Sequence, residues 1–279
     1  SGGTILTSTN AVEWSEVTPR PVTNDLQGVV FWKDRFFATG GSGKLLTSTN
    51  GISWNVQATL GSTFLSSIAG SSNRLVIVGQ KGTVLTSTDG ASWHQVQALT
   101  TNWLYRVRFI DPSWFAVGQN GTILASPDGE HWSAQSSGTT TWLNDICELN
   151  GKLYAVGTQG VVLVSTNRST WLEARSITQK SLFALATDKY HLLAAGVEGL
   201  ILRGQLGPLA ILNYARNAET NLFTLSGLAG RRVTIQASPD LTQWNNITNL
   251  QFLDNNGLLL HVNTETNLEP TRAFRAFVP

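Results

Sequence analysis

The stretch Gly121-Thr-Ile-Leu-Ala-Ser-Pro-Asp-Gly-Glu-His-Trp132 decides the fold, because the chain repeats it. The same motif runs over residues 43–54, 82–93 and 160–171, and looser copies begin at residues 3 and 199. A landmark leucine opens each unit at a spacing of 39 residues, as Leu26, Leu65, Leu104, Leu143 and Leu182. Self-similarity at such a period is the signature of a repeat architecture and outranks other local patterns.

Each unit is predicted to contain four short strands. In the third unit, Trp103–Phe109, Trp114–Val117, Thr122–Ala125 and His131–Gln135 are strand-like and separated by turn residues. No stretch of the chain carries a helical period. Four strands every 39 residues are typical of a β-propeller blade, and five first strands predict an all-β, five-bladed propeller over residues 1–204.

The period breaks after Gly204, where we expect a connector over 205–220 and a separate domain over 221–279. Its predicted strands are Leu222–Leu225, Arg232–Ala237, Trp244–Ile247, Leu258–Val262 and Ala273–Phe277. The segments Gly227–Gly230, Ala237–Trp244 and Arg272–Arg275 resemble the small C-terminal β-sandwich modules of large secreted bacterial proteins. Ser238, Asp240 and Trp244 keep the spacing of the propeller turns, so an incomplete sixth blade is the alternative.

The strand count at the two ends of the propeller does not balance. Thr4–Thr7 and Glu13–Val17 read as a third and a fourth strand with no first or second, whereas the fifth unit lacks a fourth strand. We expect Glu13–Val17 to complete the fifth blade within the same chain. The alternative is strand addition to a neighbouring copy, which builds a filament when the contact is head-to-tail.

Composition narrows the class of protein. Charged residues make up 13% of the chain, against about 25% in average globular proteins. The net charge is +1 with no basic run, so no nucleic-acid partner is indicated. No apolar run is long enough to span a membrane. The absence of methionine and the Ser-Gly-Gly start suggest a processed mature form, and a cloned fragment is the alternative. The weakly charged composition favours a secreted or cell-surface protein of a bacterium. The single Cys147 is expected to be a small buried apolar residue.

The recurring Ser-x-Asp/Asn-Gly-x-x-Trp turn is predicted to be structural. Its acidic or amide residue, which is Asn50, Asp89, Asp128 or Asn167, can accept hydrogen bonds from backbone amides of its own turn. The tryptophan that ends the turn is expected to bury its ring between neighbouring blades. A calcium site would need more ligands than each turn offers, so we expect no metal and no cofactor.

These turns resemble Asp-box repeats, also called bacterial neuraminidase repeats, and are most similar to propellers of the photosystem II assembly-factor type. The resemblance covers most of residues 3–204 and implies a propeller. It implies little about activity, because sialidases, sortilin-like receptors and assembly factors share the turn. The Phe/Tyr-Arg-Ile-Pro motif of the sialidases is absent, as is their arginine triad.

The sequence offers little catalytic chemistry. The four histidines are scattered without zinc-binding spacing, and no phosphate loop or nucleophile elbow occurs. Asp145 and Glu148 are the only local carboxylate pair, and we interpret them as surface or channel-lining residues. The protein is therefore expected not to be an enzyme.

The candidate binding site lies at the mouth of the central channel. Two residues after the landmark leucine, neighbouring blades carry Arg106 and Asp145, which either pair and fill the channel or anchor a ligand beside Trp103 and Trp142. The Gly-x-x-Gly turns on the same face display a varied rim of polar residues. The rim candidates are Gln80, Lys81, Gln119, Asn120, Gln159 and Glu198.

Function is predicted only as a class. The sequence favours a non-catalytic extracellular protein that binds other proteins or assembles with itself. A glycan-binding lectin is the alternative, and a sialidase-like hydrolase is a more distant one.

Overall fold

The structure is a computed structural model. It describes residues 2–97, 99–174, 176, 178–188 and 191–205, and then 210–216, 221–226, 232–238, 242–243, 245–251, 258–260 and 273–277. The chain divides into two compact units. The first comprises Ser1–Thr187 and Leu193–Leu202, and the second comprises Asp188–Leu192 and Arg203–Pro279.

The first unit is a row of antiparallel β-meanders, which confirms the predicted propeller of 39-residue, four-stranded blades. A hairpin of β1 (Leu6–Thr7) and β2 (Ser15–Glu16) comes first. Four complete blades follow. The first contains β3 (Leu26–Trp32), β4 (Arg35–Gly40), β5 (Lys44–Ser48) and β6 (Asn55–Thr59), and the second contains β7 (Leu65–Gly70), β8 (Leu75–Gly79), β9 (Val84–Ser87) and β10 (His94–Gln95). The third contains β11 (Leu104–Ile110), β12 (Ser113–Gly118), β13 (Ile123–Ser126) and β14 (Ser133–Gln135), and the fourth contains β15 (Leu143–Leu149), β16 (Lys152–Gly157), β17 (Val162–Ser165) and β18 (Leu172–Glu173). The fifth blade comprises β19 (Leu182–Thr187), β20 (His191–Gly196) and β21 (Ile201–Gln205).

The landmark leucines explain why the blades stack. The first strands of consecutive blades lie side by side, from β3 through β7, β11 and β15 to β19. Leu65, Leu104, Leu143 and Leu182 are completely buried between blades. The pairing register of the first and second strands shifts directly after the leucine in each complete blade, which marks a β-bulge. A bulge re-aims the side chains that follow it, here those at one end of the first strand.

Within the part of the chain that the structure describes, Glu13–Val17 does not pair with the fifth blade, contrary to the prediction. Strand β2 pairs with β1, in the register Leu6 with Glu16 and Thr7 with Ser15. Among the described residues, β21 is the edge strand of its sheet. The reason is local, because the side-chain oxygen of Asn10 accepts the amides of Val12 and Glu13 and turns the segment back on itself.

The second unit contains six described strands in two three-stranded antiparallel sheets. They are β22 (Ala210–Arg216), β23 (Asn221–Ser226), β24 (Arg232–Ser238), β25 (Asn245–Gln251), β26 (Leu258–Leu260) and β27 (Ala273–Phe277). The sheet orders are β22-β23-β26 and β25-β24-β27. In a sixth blade, strands consecutive in sequence would be neighbours in one sheet. Here β26 lies beside β23, and β27 lies beside β24, so the sheets are not blades of the propeller type. The packing of the two sheets as a sandwich and the domain boundaries remain predictions.

Several residues used in the prediction for the second unit lie outside the described residues. They are Gly227–Gly230, Asp240, Trp244 and Arg272. No helix in the described part of the chain has the length and apolar character to cross a membrane.

Candidate functional site

Each rim turn is fastened to the start of a first strand. In the third blade, the Gln119 amide donates to the Trp103 carbonyl at 2.8 Å, and the Trp103 amide donates to Gln119 Oε1 at 3.2 Å. All five blades repeat the first of these bonds, at 2.8–3.0 Å. The Gly-x-x-Gly turns and the beginnings of the first strands therefore share one face of the propeller. We call this the mouth face.

The two glycines of a rim turn serve different purposes. Gly118 is extended, and a Cβ there would lie 2.0 Å from the Trp103 carbonyl oxygen. Gly121 has a φ of +64°, so the second glycine alone takes the left-handed conformation that glycine accepts without strain. Asn120, which directly precedes Gly121, also adopts a left-handed conformation, with φ 54°. Its side chain is thereby exposed on the mouth face.

Four partly exposed aromatic rings lie together on the mouth face, across three neighbouring blades. The ring centroids of Trp103 and Phe64 are 5.9 Å apart, those of Trp103 and Trp142 are 5.9 Å apart, and those of Trp103 and Tyr105 are 6.0 Å apart. The Trp103 indole also donates to the Ser66 hydroxyl. We call Phe64, Trp103, Tyr105 and Trp142 the aromatic row.

The sequence prediction identified only half of this row. Trp103 and Trp142 were expected at the mouth, and the structure brings them into contact. Phe64 was missed although it occupies the same repeat position, directly before a landmark leucine. Tyr105 was missed because it lies at the β-bulge, where strand alternation no longer indicates which way a side chain points.

Asp145 is a structural centre rather than an exposed ligand group. Its side chain is completely buried. Its oxygens accept Arg108 Nε at 2.9 Å and Nη2 at 2.7 Å, the Leu185 amide at 2.8 Å and the Ile146 amide at 2.9 Å. A buried carboxylate is tolerated when it is paired and hydrogen-bonded in this way. Arg108, which sequence reasoning missed, is thus its main partner.

Arg106 holds a weaker position beside the same carboxylate. Its Nε lies 3.5 Å from Asp145 Oδ1 and is buried without a hydrogen-bond partner. Its side chain remains 29% exposed. The predicted pairing of Arg106 with Asp145 exists as an ion pair but is secondary to that of Arg108. Two guanidinium groups therefore share one carboxylate.

Arg108 remains protonated and positively charged. Burial alone lowers the pKa of Arg108, but the hydrogen bonds and charge of Asp145 more than offset this and raise it above its ordinary value. The formal charges of Arg106, Arg108 and Asp145 sum to +1. Glu148, the other half of the predicted carboxylate pair, instead binds Arg168.

The rim candidates divide into two groups. The side-chain oxygens of Gln80 and Gln119 accept the amides of Phe64 and Trp103, so these residues fasten the turns. The other four rim residues occupy the second position of their turns and are exposed, as Lys81, Asn120, Gln159 and Glu198. Glu198 forms an ion pair with Lys180.

The opposite face carries the Ser-x-Asp/Asn-Gly turns, and their hydrogen bonds confirm the structural interpretation. Asp89 Oδ1 accepts the amides of Ala91 and Ser92, both at 2.8 Å, and Ser87 Oγ accepts the Gly90 amide at 2.8 Å. These amides hold the pKa of Asp89 well below its ordinary range. Within the described residues, no group of three or more histidine, cysteine or acidic side chains could hold a metal.

The fourth of these turns departs from the pattern in a way that the structure explains. Arg168 replaces the glycine and adopts a φ of 63°. Its guanidinium donates to the Ile110 carbonyl at 3.1 Å and binds Glu148, so it fastens neighbouring blades together. Three of the turn tryptophans pack between blades as expected, since Trp93, Trp132 and Trp171 each join an inter-blade cluster. Trp54 instead contacts Phe36 of its own blade.

Cys147 is buried, as predicted. Burial raises the pKa of its thiol to about 12, so the group is neutral at physiological pH.

Comparison with known proteins supports the fold. The family of the DUF6242 beta propeller domain matches residues 2–103. No curated protein matches the chain. Among solved structures, YCF48 bound to D1 peptide is similar, with 19% identity, a TM-score of 0.56, and coverage of 81% of this chain and 83% of that one.

Two further structures are similar. YCF48 from Cyanidioschyzon merolae has 15% identity and a TM-score of 0.51, over 80% of this chain and 84% of its own. The WD40 beta propeller domain of Doa1 has 13% identity and a TM-score of 0.52, over 88% and 90% respectively. At such identities the likeness shows the fold alone.

Proposed function

We propose that the protein is a non-catalytic binding module whose partner is another protein, docked on the mouth face. The observation that carries the proposal is the aromatic row, which spans three blades and remains partly exposed. Partly exposed tryptophan and tyrosine rings are the commonest anchors of protein interfaces, because they offer large contact areas at low entropic cost.

Arg106 adds a charged contact beneath the row. It lies three residues along the strand from Trp103, which corresponds to about 10 Å. Its Nε has no hydrogen-bond partner, and Asp145 is already saturated by Arg108 and two amides. An acceptor group of the partner that reached this depth would satisfy the buried donor. A peptide segment entering between the rings fits this requirement.

The similar structure of YCF48 with a D1 peptide supports a peptide segment as the bound element. The exposed second residues of the rim turns would then contact the remainder of the partner. They differ in every blade, as Ser42, Lys81, Asn120, Gln159 and Glu198, and this variety suits a specific rather than a general partner.

The test uses the purified chain as bait for proteins from the source cells. Wild type should retain a partner that Trp103→Ala and Trp142→Ala both lose. His131→Ala is the matched control, because that side chain is 83% exposed on the opposite face. A partner retained equally by all four proteins would refute binding at the mouth face.

A glycan ligand is the second candidate. Beside the rim turns lie two grooves of about 420 and 600 Å³, lined largely by hydroxyl and amide side chains such as Thr122, Ser137, Thr178 and Gln159. Hydroxyl-rich grooves also suit sugars, and Trp142 adds a partly exposed ring on the mouth face. A glycan array probed with wild type and Trp142→Ala decides: binding that depends on Trp142 would favour the lectin over the protein-binding module.

Self-assembly is a further candidate, favoured by apolar surface exposed at both ends of the row of blades. Donation of the N-terminal strands to another copy is one route.

We also propose kinship with Asp-box proteins, supported by the turn hydrogen bonds, and a secreted or cell-surface location, supported by the low content of charged residues. Immunodetection in the culture medium and on intact cells would test the location.

A further inference from the structure

The aromatic row carries hydrogen-bond donors that the protein does not use. Trp142 and Tyr105 are partly exposed, and neither the indole nitrogen of the first nor the hydroxyl of the second has a hydrogen-bond partner among the described residues. Trp103 differs, because its indole donates to the Ser66 hydroxyl. An indole nitrogen can only donate, so Trp142 requires an acceptor from whatever binds there.

The acceptors around the row are already engaged. The carbonyls of Phe64, Trp103 and Trp142 each accept a rim-turn amide, at 2.8–2.9 Å. The amides of the same three residues donate to side-chain oxygens of the rim turns, at 3.2–3.3 Å. The row therefore offers a ligand apolar rings and free donors, whereas its own backbone acceptors are occupied. A complementary ligand carries acceptors and apolar groups and brings few N–H donors.

A proline-rich segment has this combination of groups. Proline has a carbonyl acceptor and no backbone N–H. Consecutive prolines form the polyproline II helix, which makes no internal hydrogen bonds and so leaves its carbonyls for a partner. Its apolar rings fit the grooves of aromatic-lined surfaces, which is a recurring mode of peptide recognition. A peptide of other residues would bring one N–H per residue to a row whose backbone acceptors are occupied.

The dimensions of the row agree with such a segment. Four residues of a polyproline II helix, which rises about 3.1 Å per residue, cover about 12 Å, the greatest separation that two successive centroid distances of 5.9 Å allow between Phe64 and Trp142. One short run of prolines is therefore long enough to contact all three blades of the row.

The charge beside the row argues against a cationic ligand, the other class that aromatic rings bind well. Arg106 follows Tyr105 directly on β11, and the formal charges of Arg106, Arg108 and Asp145 sum to +1. A quaternary ammonium group or a lysine-rich peptide would be repelled there. A run of prolines is uncharged and meets no such penalty.

We propose that the element bound on the mouth face is a proline-rich segment in the polyproline II conformation. Its rings pack against Phe64, Trp103 and Trp142, and its carbonyls accept the Trp142 indole and the Tyr105 hydroxyl. This inference rests on the proposed function and narrows it, from a protein partner of any kind to one that exposes a run of prolines.

The experiment is isothermal titration calorimetry of the full chain with three end-blocked octapeptides. They are octaproline of L-residues, octaproline of D-residues, and octaglutamate. The L-peptide should bind with 1:1 stoichiometry. The D-peptide has the same composition and apolar surface but forms a helix of the opposite hand, and it should bind at least about 10-fold more weakly. Octaglutamate tests whether the positive charge of the arginines alone attracts a ligand, and it should bind more weakly than L-octaproline.

Two variants remove a donor and keep an aromatic ring. Tyr105→Phe and Trp142→Phe should each weaken the binding of L-octaproline about 5-fold, the effect of one lost hydrogen bond. Tyr154→Phe is the matched control, because it removes the same hydroxyl from a residue that is buried within the fourth blade, and it should bind like wild type. Circular dichroism checks folding, and Tyr105→Phe alone decides if Trp142→Phe misfolds.

Four results would each overturn the proposal: no saturable binding of L-octaproline, equal affinity for the D-peptide, tighter binding of octaglutamate, or unchanged affinity in both donor variants. A competition assay separates this failure from that of the proposed function. L-octaproline should displace a partner that wild type retains and Trp142→Ala loses. Such a partner that octaproline does not displace would refute the proline-rich segment and leave protein binding at the mouth face intact.

Discussion

The two faces of the propeller are built on the same repeat but use their side chains differently. We call the face that carries the Ser-x-Asp/Asn-Gly turns the turn face. On this face, side chains make the hydrogen bonds that hold the backbone: Asn50, Asp89, Asp128 and Asn167 each accept two backbone amides. On the mouth face, the bond common to all five blades runs from backbone to backbone. The turn face therefore cannot vary these side chains without losing stability, whereas the exposed second residues of the rim turns can vary.

The largest expected effect tests whether the mouth-face backbone is truly fixed. Gly118→Ala should destabilise the protein by about 3 kcal/mol, because the new Cβ would meet the Trp103 carbonyl oxygen and force the strand apart. Gly138→Ala is the control, since no atom lies within 4 Å of that position although its φ is +74°. It should cost about 1 kcal/mol from the left-handed conformation alone. Urea denaturation measures both, and equal losses would mean that the close approach is not restrictive.

On the turn face, Asn50→Ala should cost about 1 kcal/mol, because the amides of Ile52 and Ser53 lose their acceptor. Asn50→Asp keeps the acceptor and should unfold at nearly the wild-type urea concentration. If Asn50→Ala unfolded there as well, the turns would not depend on their side chains, and the contrast between the faces would disappear.

Acid should lower the stability of the protein through the two turns that contain an aspartate, Asp89 and Asp128. The pKa of Asp89 is depressed in the folded protein, so its stabilisation is present above the ordinary aspartate pKa of 3.8 and is lost as pH falls below it. Asp89→Asn preserves the acceptor, as Asn50 and Asn167 do naturally. Its melting temperature should fall less than that of wild type between pH 5 and pH 3. Asp128 is less suitable because it also binds His131. Parallel pH profiles for the two proteins would contradict the assignment.

The smallest effect is expected at the tip of a rim turn. Asn120→Gly should change the free energy of unfolding by no more than about 0.5 kcal/mol, since the side chain is exposed and glycine accepts the left-handed φ. The measurement is the same urea titration. A loss as large as that of Asn50→Ala would show that the mouth face depends on its side chains after all.

Contacts that close within one turn could be predicted from the sequence. The serine and aspartate of a turn bond to amides no more than three residues away, so local spacing is enough. The burial of the landmark leucines followed from their period. Both predictions depend on patterns that the repeat itself displays.

Contacts between blades could not be predicted in the same way. Arg108 meets Asp145 across 37 residues, and Asp145 meets the Leu185 amide across 40. Which arginine reaches the carboxylate depends on the bulge after Leu104, because it decides the direction of the following side chains. The unclosed fifth blade escaped prediction for a related reason: a strand count does not reveal that Asn10 folds β2 back onto β1.

The left-handed residue at the tip of each rim turn has a consequence for engineering. Ser42, Lys81, Asn120, Gln159 and Glu198 recur at the same place in every blade, each held by the same backbone bonds and each pointing outward. A library that randomises these positions alone would therefore change the chemistry of the recognition surface blade by blade. The scaffold that presents it would stay the same, so new specificities could be selected without rescuing the fold.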